Sequence, residues 1–444
     1  VNFDPRTAQS FEFLEASFQG SEARFSFRFD QGPEFVERII FPLAAEALDQ
    51  PGFARALNLA LHVIGISYYK AGVPKTMRSR PGIDPAMAHL LQQLYTFGLG
   101  EFAHQNGIDI RARVRFQASA EAHSASSIEL PRRTLVPIGG GKDSLVTIEA
   151  LKAAGEPVCA TWVGDSELIA ATAERSTAPT LRIKRVLDPQ LFALNRAGAY
   201  NGHIPVTAIN SVILLMAALL YGYDRIAFSN EASASSPNLV QEGMPVNHQW
   251  SKGIEFERLF AGYVKARVST KLSYFSLLRP HSELKIASKF ARLDQYHGVF
   301  SSCNRNFKIL GARPEQRWCG QCPKCLFVFA AMAPFMAKPA LTQIFGRNLL
   351  DEAALQDGYE ALLEWQGKHK PFECVGEARE TRAALHELSR RPDWQEDVIV
   401  KHFAREIAPQ LEPSSLALSG LMHTTPHDLI PMELVNAVDQ LQPT

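Results

Sequence analysis

The segment Val136-Pro137-Ile138-Gly139-Gly140-Gly141-Lys142-Asp143-Ser144 constrains this chain more than any other. Residues 134–138 read as a short strand. Leu145, Val146, Ile148 and Leu151 then recur at helical spacing, and Gly155 closes a helix expected over 143–154. Consecutive glycines have no Cβ to block close approach, so their backbone folds into a cradle whose N–H groups face an anion. The helix behind the cradle adds its positive N-terminal end, and Ser144 adds a hydroxyl. Pro137 cannot donate to a ladder, which places it at the very end of its strand. Strand, phosphate-sized cradle and helix in this order require an α/β fold. The spacing is neither the G-x-x-x-x-G-K-[ST] of P-loop NTPases nor the G-x-G-x-x-G of dinucleotide folds.

From Leu130 onward strands alternate with helices, the pattern of a parallel sheet with helices on both faces. Strands are expected at 134–138, 158–163, 180–186 and 225–229, and helices at 143–154, 166–173, 209–221 and 256–268. Ligands of such sheets bind beyond the carboxyl ends of the strands. That rule collects the glycine loop, Gly164-Asp165-Ser166, the region of His203 and Asn230-Glu231-Ala232 into one site. The small polar run 229–236 reads as a substrate loop. The run Val246-Asn247-His248-Gln249-Trp250-Ser251-Lys252-Gly253 concentrates hydrogen-bonding groups and reads as a recognition segment.

A chain of 444 residues exceeds one ordinary core. Residues 1–129 read as an α+β accessory domain. Phe11 and Phe13, then Phe25, Phe27 and Phe29, alternate as half-buried strands about a Gln19-Gly20-Ser21 turn. Helices are expected at 54–68 and 84–104, a strand at 108–116 and a linker at 118–127, with Tyr68 to Lys75 a candidate cover for the site. Residues 130–335 carry the glycine loop, and 336–444 form a mainly helical region with helices at 355–366, 378–390, 397–407 and near 432–441.

Four cysteines gather as Cys303 and Cys319-Gly320-Gln321-Cys322-Pro323-Lys324-Cys325. Such spacing wraps a single metal ion. A closed tetrahedral zinc site fits a reducing compartment, with an iron–sulfur cluster or unligated thiols as the alternatives. Cys159 lies in an apolar strand and reads as core.

Charge is balanced at 46 basic and 46 acidic residues, which argues against a large nucleic-acid footprint. The apolar run 212–220 falls far short of the ~20 residues of a membrane span. The N-terminal Val1-Asn2-Phe3-Asp4-Pro5 lacks the basic flank and apolar core of a signal peptide. The expectation is a soluble, cytoplasmic protein.

The glycine loop resembles the S-G-G-x-D-S signature of the PP-loop ATP pyrophosphatases, whose fold is adenine nucleotide alpha-hydrolase-like. Gly139 stands where that family carries its first Ser, so one hydroxyl contact is missing or supplied elsewhere. The cysteine set is similar to the zinc knuckle of the deazaguanine synthases in that group. Taken with the length and the flanking domains, the chain resembles the MurL family of glutamyl epimerases of peptidoglycan synthesis.

That resemblance implies ATP- and Mg2+-dependent inversion of the terminal L-Glu of UDP-N-acetylmuramoyl-L-alanyl-L-glutamate to D-Glu through a carboxyl-adenylate, with release of AMP and diphosphate. Gly139, Gly140, Gly141, Lys142, Asp143 and Ser144, with Asp165, would bind the nucleotide, and Asp143 would face magnesium. Cys303, Cys319, Cys322 and Cys325 would hold structural Zn2+. The proton-transfer groups are sought among His203, Glu231, His248 and Cys374. The first three follow from strand-end placement. Cys374 is chosen as a thiol, although Glu373 and Glu377 would raise its pKa unless a cation intervenes.

Three other readings share parts of this pattern. A deazaguanine synthase-like enzyme shares both motifs but usually lacks long domains on both sides. A tRNA-modifying PP-loop enzyme would want a basic surface. A zinc-stapled nucleotide-binding module without catalysis leaves the Lys142–Asp143 pair without a use.

Overall fold

The computed structural model describes residues 3–47, 49–308, 313–425 and 427–441. The alternating phenylalanines form β1 (Ser10–Gln19) and β2 (Glu22–Phe29), antiparallel about Gly20, with Phe13 opposite Phe27 and Phe11 opposite Phe29. All five of the phenylalanines named above are fully buried. β3 (Glu34–Ile40) extends this pair antiparallel to β2, and β4 (Thr76–Ser79) lies parallel to β1.

The alternating region supplies β5 (Thr134–Pro137), β6 (Val158–Val163), β7 (Thr180–Val186) and β8 (Arg225–Phe228). Pro137 is the last residue of its strand, as its missing N–H requires. β9 (Leu239–Gln241) and β10 (Met244–Val246) pair as a separate hairpin, and β11 (Ser273–Ser276) adds a further strand beside β8.

One nine-stranded sheet results, in the order β11-β8-β5-β6-β7-β3-β2-β1-β4. The five strands from β11 to β7 are mutually parallel. The antiparallel β3–β7 pairing joins them to the phenylalanine strands. At that seam Arg185 Nε bonds Glu37 Oε1 at 2.6 Å, with Glu37 fully buried.

Strand side chains alternate between faces. Leu135, Cys159, Ile226 and Tyr274 therefore join one core, with the N-terminal strands and the helix Val206–Tyr221. Their neighbours Val136, Ala160, Ala227 and Phe275 join a second core, with the helices Lys142–Ala153, Pro323–Met332 and Ala378–Ser389. Burial on both faces explains why Leu135 and Val136 are both apolar and both buried although they point to opposite sides of the sheet. Among the described residues, no helix is long and apolar enough to cross a membrane.

Two expectations are corrected. Residues 108–116 form no strand: Asp109 caps a single 3-10 turn at Ile110–Ala112. Ile110 and Val114 alone are buried there, while Ala112 is exposed, and the Val114 N–H donates to the Ile110 carbonyl at 3.1 Å, the mark of a turn and not of a strand. The segment at Tyr68 to Lys75 is not a cover. Tyr68, Tyr69, Ala71 and Val73 are buried in the N-terminal core, and Lys70 Nζ donates to Asn201 Oδ1 at 2.5 Å.

Candidate functional site

β5 is flanked by β6 on one side and β8 on the other, so the chain order reverses across it. The crevice at such a reversal is where open parallel sheets bind ligands, and the glycine loop leaves β5 at that point. Gly140 has φ +81, and its carbonyl accepts from the Ser301 N–H at 2.9 Å. A Cβ at Gly140 would lie 3.3 Å from the Ser301 carbonyl oxygen, whereas one at Gly139 would meet nothing within 4 Å. The helix begins at Lys142 with no side chain capping it, which leaves its first N–H groups free to face an anion. Ser144 Oγ donates to the Gly141 carbonyl at 3.2 Å.

Lys142 does not project from the loop. It is buried, and its Nζ bonds both Asp143 and Glu283. Burial opposes its charge, but the two carboxylates outweigh that and raise its pKa. Asp143, Glu231 and Glu283 each bring a carboxylate oxygen within 4.8 Å of the others. This joins the glycine loop, the loop after β8 and the first turn of the helix Glu283–Phe290. The Glu283 N–H donates to Glu380 Oε1 at 2.7 Å. Burial, followed by repulsion from Glu283, pushes the Glu380 carboxyl up to about 8.

A second group lies beside the first. His248 Nδ1 bonds Glu101, and the His203 and His248 rings sit 4.1 Å apart between centroids. Lys252 Nζ lies 3.2 Å from Cys374 Sγ. Burial drives His203 down to about 3, helped by the charges of His248 and Lys252. Burial also opposes the charge on His248, yet its bonds to Cys374 and Glu101 carry it up to about 9. For Cys374 burial acts upward, but Lys252, His248 and Lys324 together bring the thiol down to about 5. Lys252 links the two groups: burial opposes its charge, but the charges of Cys374, Glu231 and Asp143 all act on it and raise its pKa.

Buried polar contacts hold these loops in register. Arg279 bonds Glu257 through Nε at 3.0 Å, the Glu231 carbonyl through Nη1 at 2.6 Å, and the Lys252 carbonyl through Nη2. Asn238 accepts from the His248 N–H at 2.8 Å and donates to the Pro371 carbonyl at 2.7 Å. The Lys324 N–H donates to Glu373 Oε2 at 2.9 Å. These bonds press the segment 370–377, with Cys374, onto the loops after β8 and β10. Lys370 in that segment is buried with its Nζ unpartnered.

Asp165, just past the end of β6, has a largely exposed side chain that pairs with Arg182. The sulfurs of Cys303, Cys319, Cys322 and Cys325 lie within 4.8 Å of one another and none is in a disulfide. Two of the separations are 3.7 Å (Cys319–Cys325) and 3.5 Å (Cys322–Cys325), close to the ~3.8 Å edge of a tetrahedron with Zn–S bonds of about 2.3 Å.

Glu101, Lys252, Glu283, Lys324 and Lys370 belong to this site, yet no local pattern singled them out. Lys252 fell inside the recognition segment and Lys324 inside the cysteine run, but neither was picked out for its own charge. Glu101 sits within a helix of the N-terminal part, and Glu283 follows an ordinary Ser282 cap.

Residues 2–277 match the model of the MurL N-terminal domain, and residues 299–417 match that of the MurL C-terminal domain. The chain is 50% identical over 439 residues to a UDP-N-acetyl-alpha-D-muramoyl-L-alanyl-L-glutamate epimerase of Xanthomonas oryzae pv. oryzae, covering 97% of each chain. Relatives with the same name are similar to it: one of Salinispora tropica is 42% identical over 89% of this chain and 88% of its own, and one of a Micromonospora species is 41% identical over 90% of each. With both domain models matched in order and half of all positions shared with a full-length relative, the chain belongs to the MurL family.

Proposed function

We propose that this chain is an ATP-dependent, cytoplasmic epimerase with a PP-loop fold. It inverts the terminal L-Glu of UDP-N-acetylmuramoyl-L-alanyl-L-glutamate through a carboxyl-adenylate and releases AMP and diphosphate. One observation carries the reading. The glycine cradle, at the reversal of the sheet, adjoins a partly buried group of ionisable side chains that includes a thiol beside an ammonium, Cys374 and Lys252.

The substrate dictates why both parts are needed. Its glutamate nitrogen is already an amide, so it cannot form a Schiff base. Its free α-carboxylate resists loss of the neighbouring Cα proton, because negative charge would accumulate on an existing anion. Adenylation neutralises the carboxylate and supplies a carbonyl that delocalises the carbanion. One group then removes the proton, another returns a proton to the opposite face, and water releases AMP. Each positioned proton transfer is worth ~10²–10⁴-fold in rate.

Gly139, Gly140, Gly141 and the N–H groups at the start of the helix Lys142–Ala153 would hold the diphosphate. The open space at Gly139 leaves room for it. Magnesium would be held at Asp143, with Glu231 and Glu283 beside it, and would screen the phosphate charge. Zinc would be held by the four cysteines and would tie Cys303 to the turn at 319–325. His203, Glu231, His248 and Cys374 are the proton-transfer candidates. In this reading residues 1–129 and 336–444 flank the nucleotide-binding part at 130–335 and close the site with Glu101 and Cys374.

The test is product analysis with ATP, magnesium and the UDP-muramoyl dipeptide. AMP, pyrophosphate and D-Glu after acid hydrolysis are expected, and amidation of the glutamate α-carboxylate abolishes all three. AMP release that survives amidation, or that proceeds equally with a deazapurine carboxylate or transfer RNA, sinks the reading.

A further inference from the structure

Cys374 is enclosed by charge from several elements. Lys252, on the loop after β10, approaches its sulfur at 3.2 Å. His248, on the same loop, faces the thiol on one side and bonds Glu101, from the helix Gly100–Asn106, through Nδ1. Lys324, from the helix Pro323–Met332, adds a third cation, while Glu373, next to Cys374 in its own segment, opposes the thiolate. Glu373 is itself engaged by the Lys324 N–H at 2.9 Å, which draws its charge toward that helix. His203 lies against His248, its ring tilted by 39°, and is held neutral by burial.

We propose that Glu101, His248 and Lys252 are positioning residues that keep Cys374 as a thiolate at neutral pH, and that this thiolate is the base acting on one face of the glutamate Cα. Glu101 holds His248 as an imidazolium. The imidazolium and the Lys252 ammonium then hold the thiolate. The base assignment rests on the function proposed above; the ionisation state does not. In the step, the sulfur lone pair takes the Cα proton, and the C–H electron pair passes onto the acyl carbonyl as an enolate. A different group, on the opposite face, returns a proton to Cα. The bound species is anionic, and Lys370, four residues before Cys374, is buried with its Nζ unpartnered and within reach of the Glu231 charge.

Cys374 is only partly buried, so a small alkylating agent can report on it. Its alkylation by iodoacetamide, followed by peptide mass spectrometry on the full chain without nucleotide, should change less than about twofold between pH 7 and 9. A thiol of ordinary pKa ≈ 8.5 would speed up roughly 20-fold over that interval. Lys252→Met and Glu101→Gln should each restore a rise with pH. The thiolate absorbance near 240 nm, taken as the difference from Cys374→Ser, should be present at pH 7 in the parent and reduced in both variants. An ordinary-thiol profile in the parent overturns the proposal.

With the epimerase reaction running in D2O, Cys374→Ser should lose deuterium uptake at Cα from one substrate epimer only. Uptake at the parent rate from both epimers overturns the base assignment. A thiolate profile in a protein that neither forms AMP nor epimerises would instead count against the function proposed above.

Discussion

Gly139 and Gly140 are neighbours of one residue type with different duties. At Gly140 the backbone is left-handed, φ +81, and a Cβ would press on the Ser301 carbonyl oxygen at 3.3 Å. Gly140→Ala should therefore cost roughly 1–2 kcal/mol, the usual penalty for an L-residue in that region, and should abolish AMP formation. Gly139→Ser should leave the thermal midpoint unchanged, because a Cβ there meets nothing within 4 Å. Equal melting of the two variants would show that the loop relaxes freely. Lys142 carries a different risk. Its ammonium is the direct partner of both Asp143 and Glu283, all three in or against the core. Lys142→Met leaves two carboxylates uncompensated and should cost about 3–5 kcal/mol in urea unfolding. The double variant Lys142→Met/Glu283→Gln should recover part of that loss. No recovery would mean that the methionine's shape, not the missing charge, is responsible.

Short elements with special jobs are joined by the cysteine turn and the segment 370–377. Cys322 precedes the helix Pro323–Met332, and that helix packs in the second core beside Ala378–Ser389. A metal at the four sulfurs would thus anchor the helix that supplies Lys324 to Cys374. Cys322→Ser, or treatment with a strong chelator, should lower the melting temperature of the purified protein, and elemental analysis should find about one zinc per chain. A brown protein with a charge-transfer band would point to iron–sulfur, since zinc is d¹⁰ and colourless. The strands and helices around the glycine loop were legible because alternation and 3.6-residue spacing are local properties. The segment at 108–116 misled for the same reason: Ile110, Ala112 and Val114 alternate in the sequence, but no neighbouring strand edge pairs with them.

At the scale of the sheet, one antiparallel junction ties the N-terminal strands to the parallel ones. Arg185 and Glu37 lock it from inside, with Arg185 also donating to Ser67 Oγ at 2.8 Å. Arg185→Met should strand the buried Glu37 carboxylate, cost about 3–5 kcal/mol and broaden the unfolding transition as the two parts of the sheet uncouple. A sharp two-state transition at the parent midpoint would contradict that. The N-terminal core also carries a pH signature. Burial holds His62 down to about 4, from 6.5 in the unfolded chain. The unfolded state binds more protons within that window, so stability is retained above pH 6.5 and lost as pH falls toward 4. The urea midpoint should drop between pH 7 and 5, and His62→Phe should shrink the drop. An unchanged drop in the variant would assign the effect to other groups.

The glycine loop, the cysteine spacing and the element order were carried by residues close together along the chain, so local sequence determined them. Spacing alone also drew attention to His203, Glu231, His248 and Cys374. It could not reveal that Cys374 meets Lys252 across the intervening 122 positions, or that Glu101 reaches His248 across 147. Those pairings exist because the sheet reverses at β5 and the segment 370–377 folds back over the loops after β8 and β10. The notion that acidic neighbours would raise the thiol followed from adjacency in sequence. Three-dimensional packing outweighs it by bringing in three cations from two other elements, whose charges act through space at short range and leave no periodic trace along the chain.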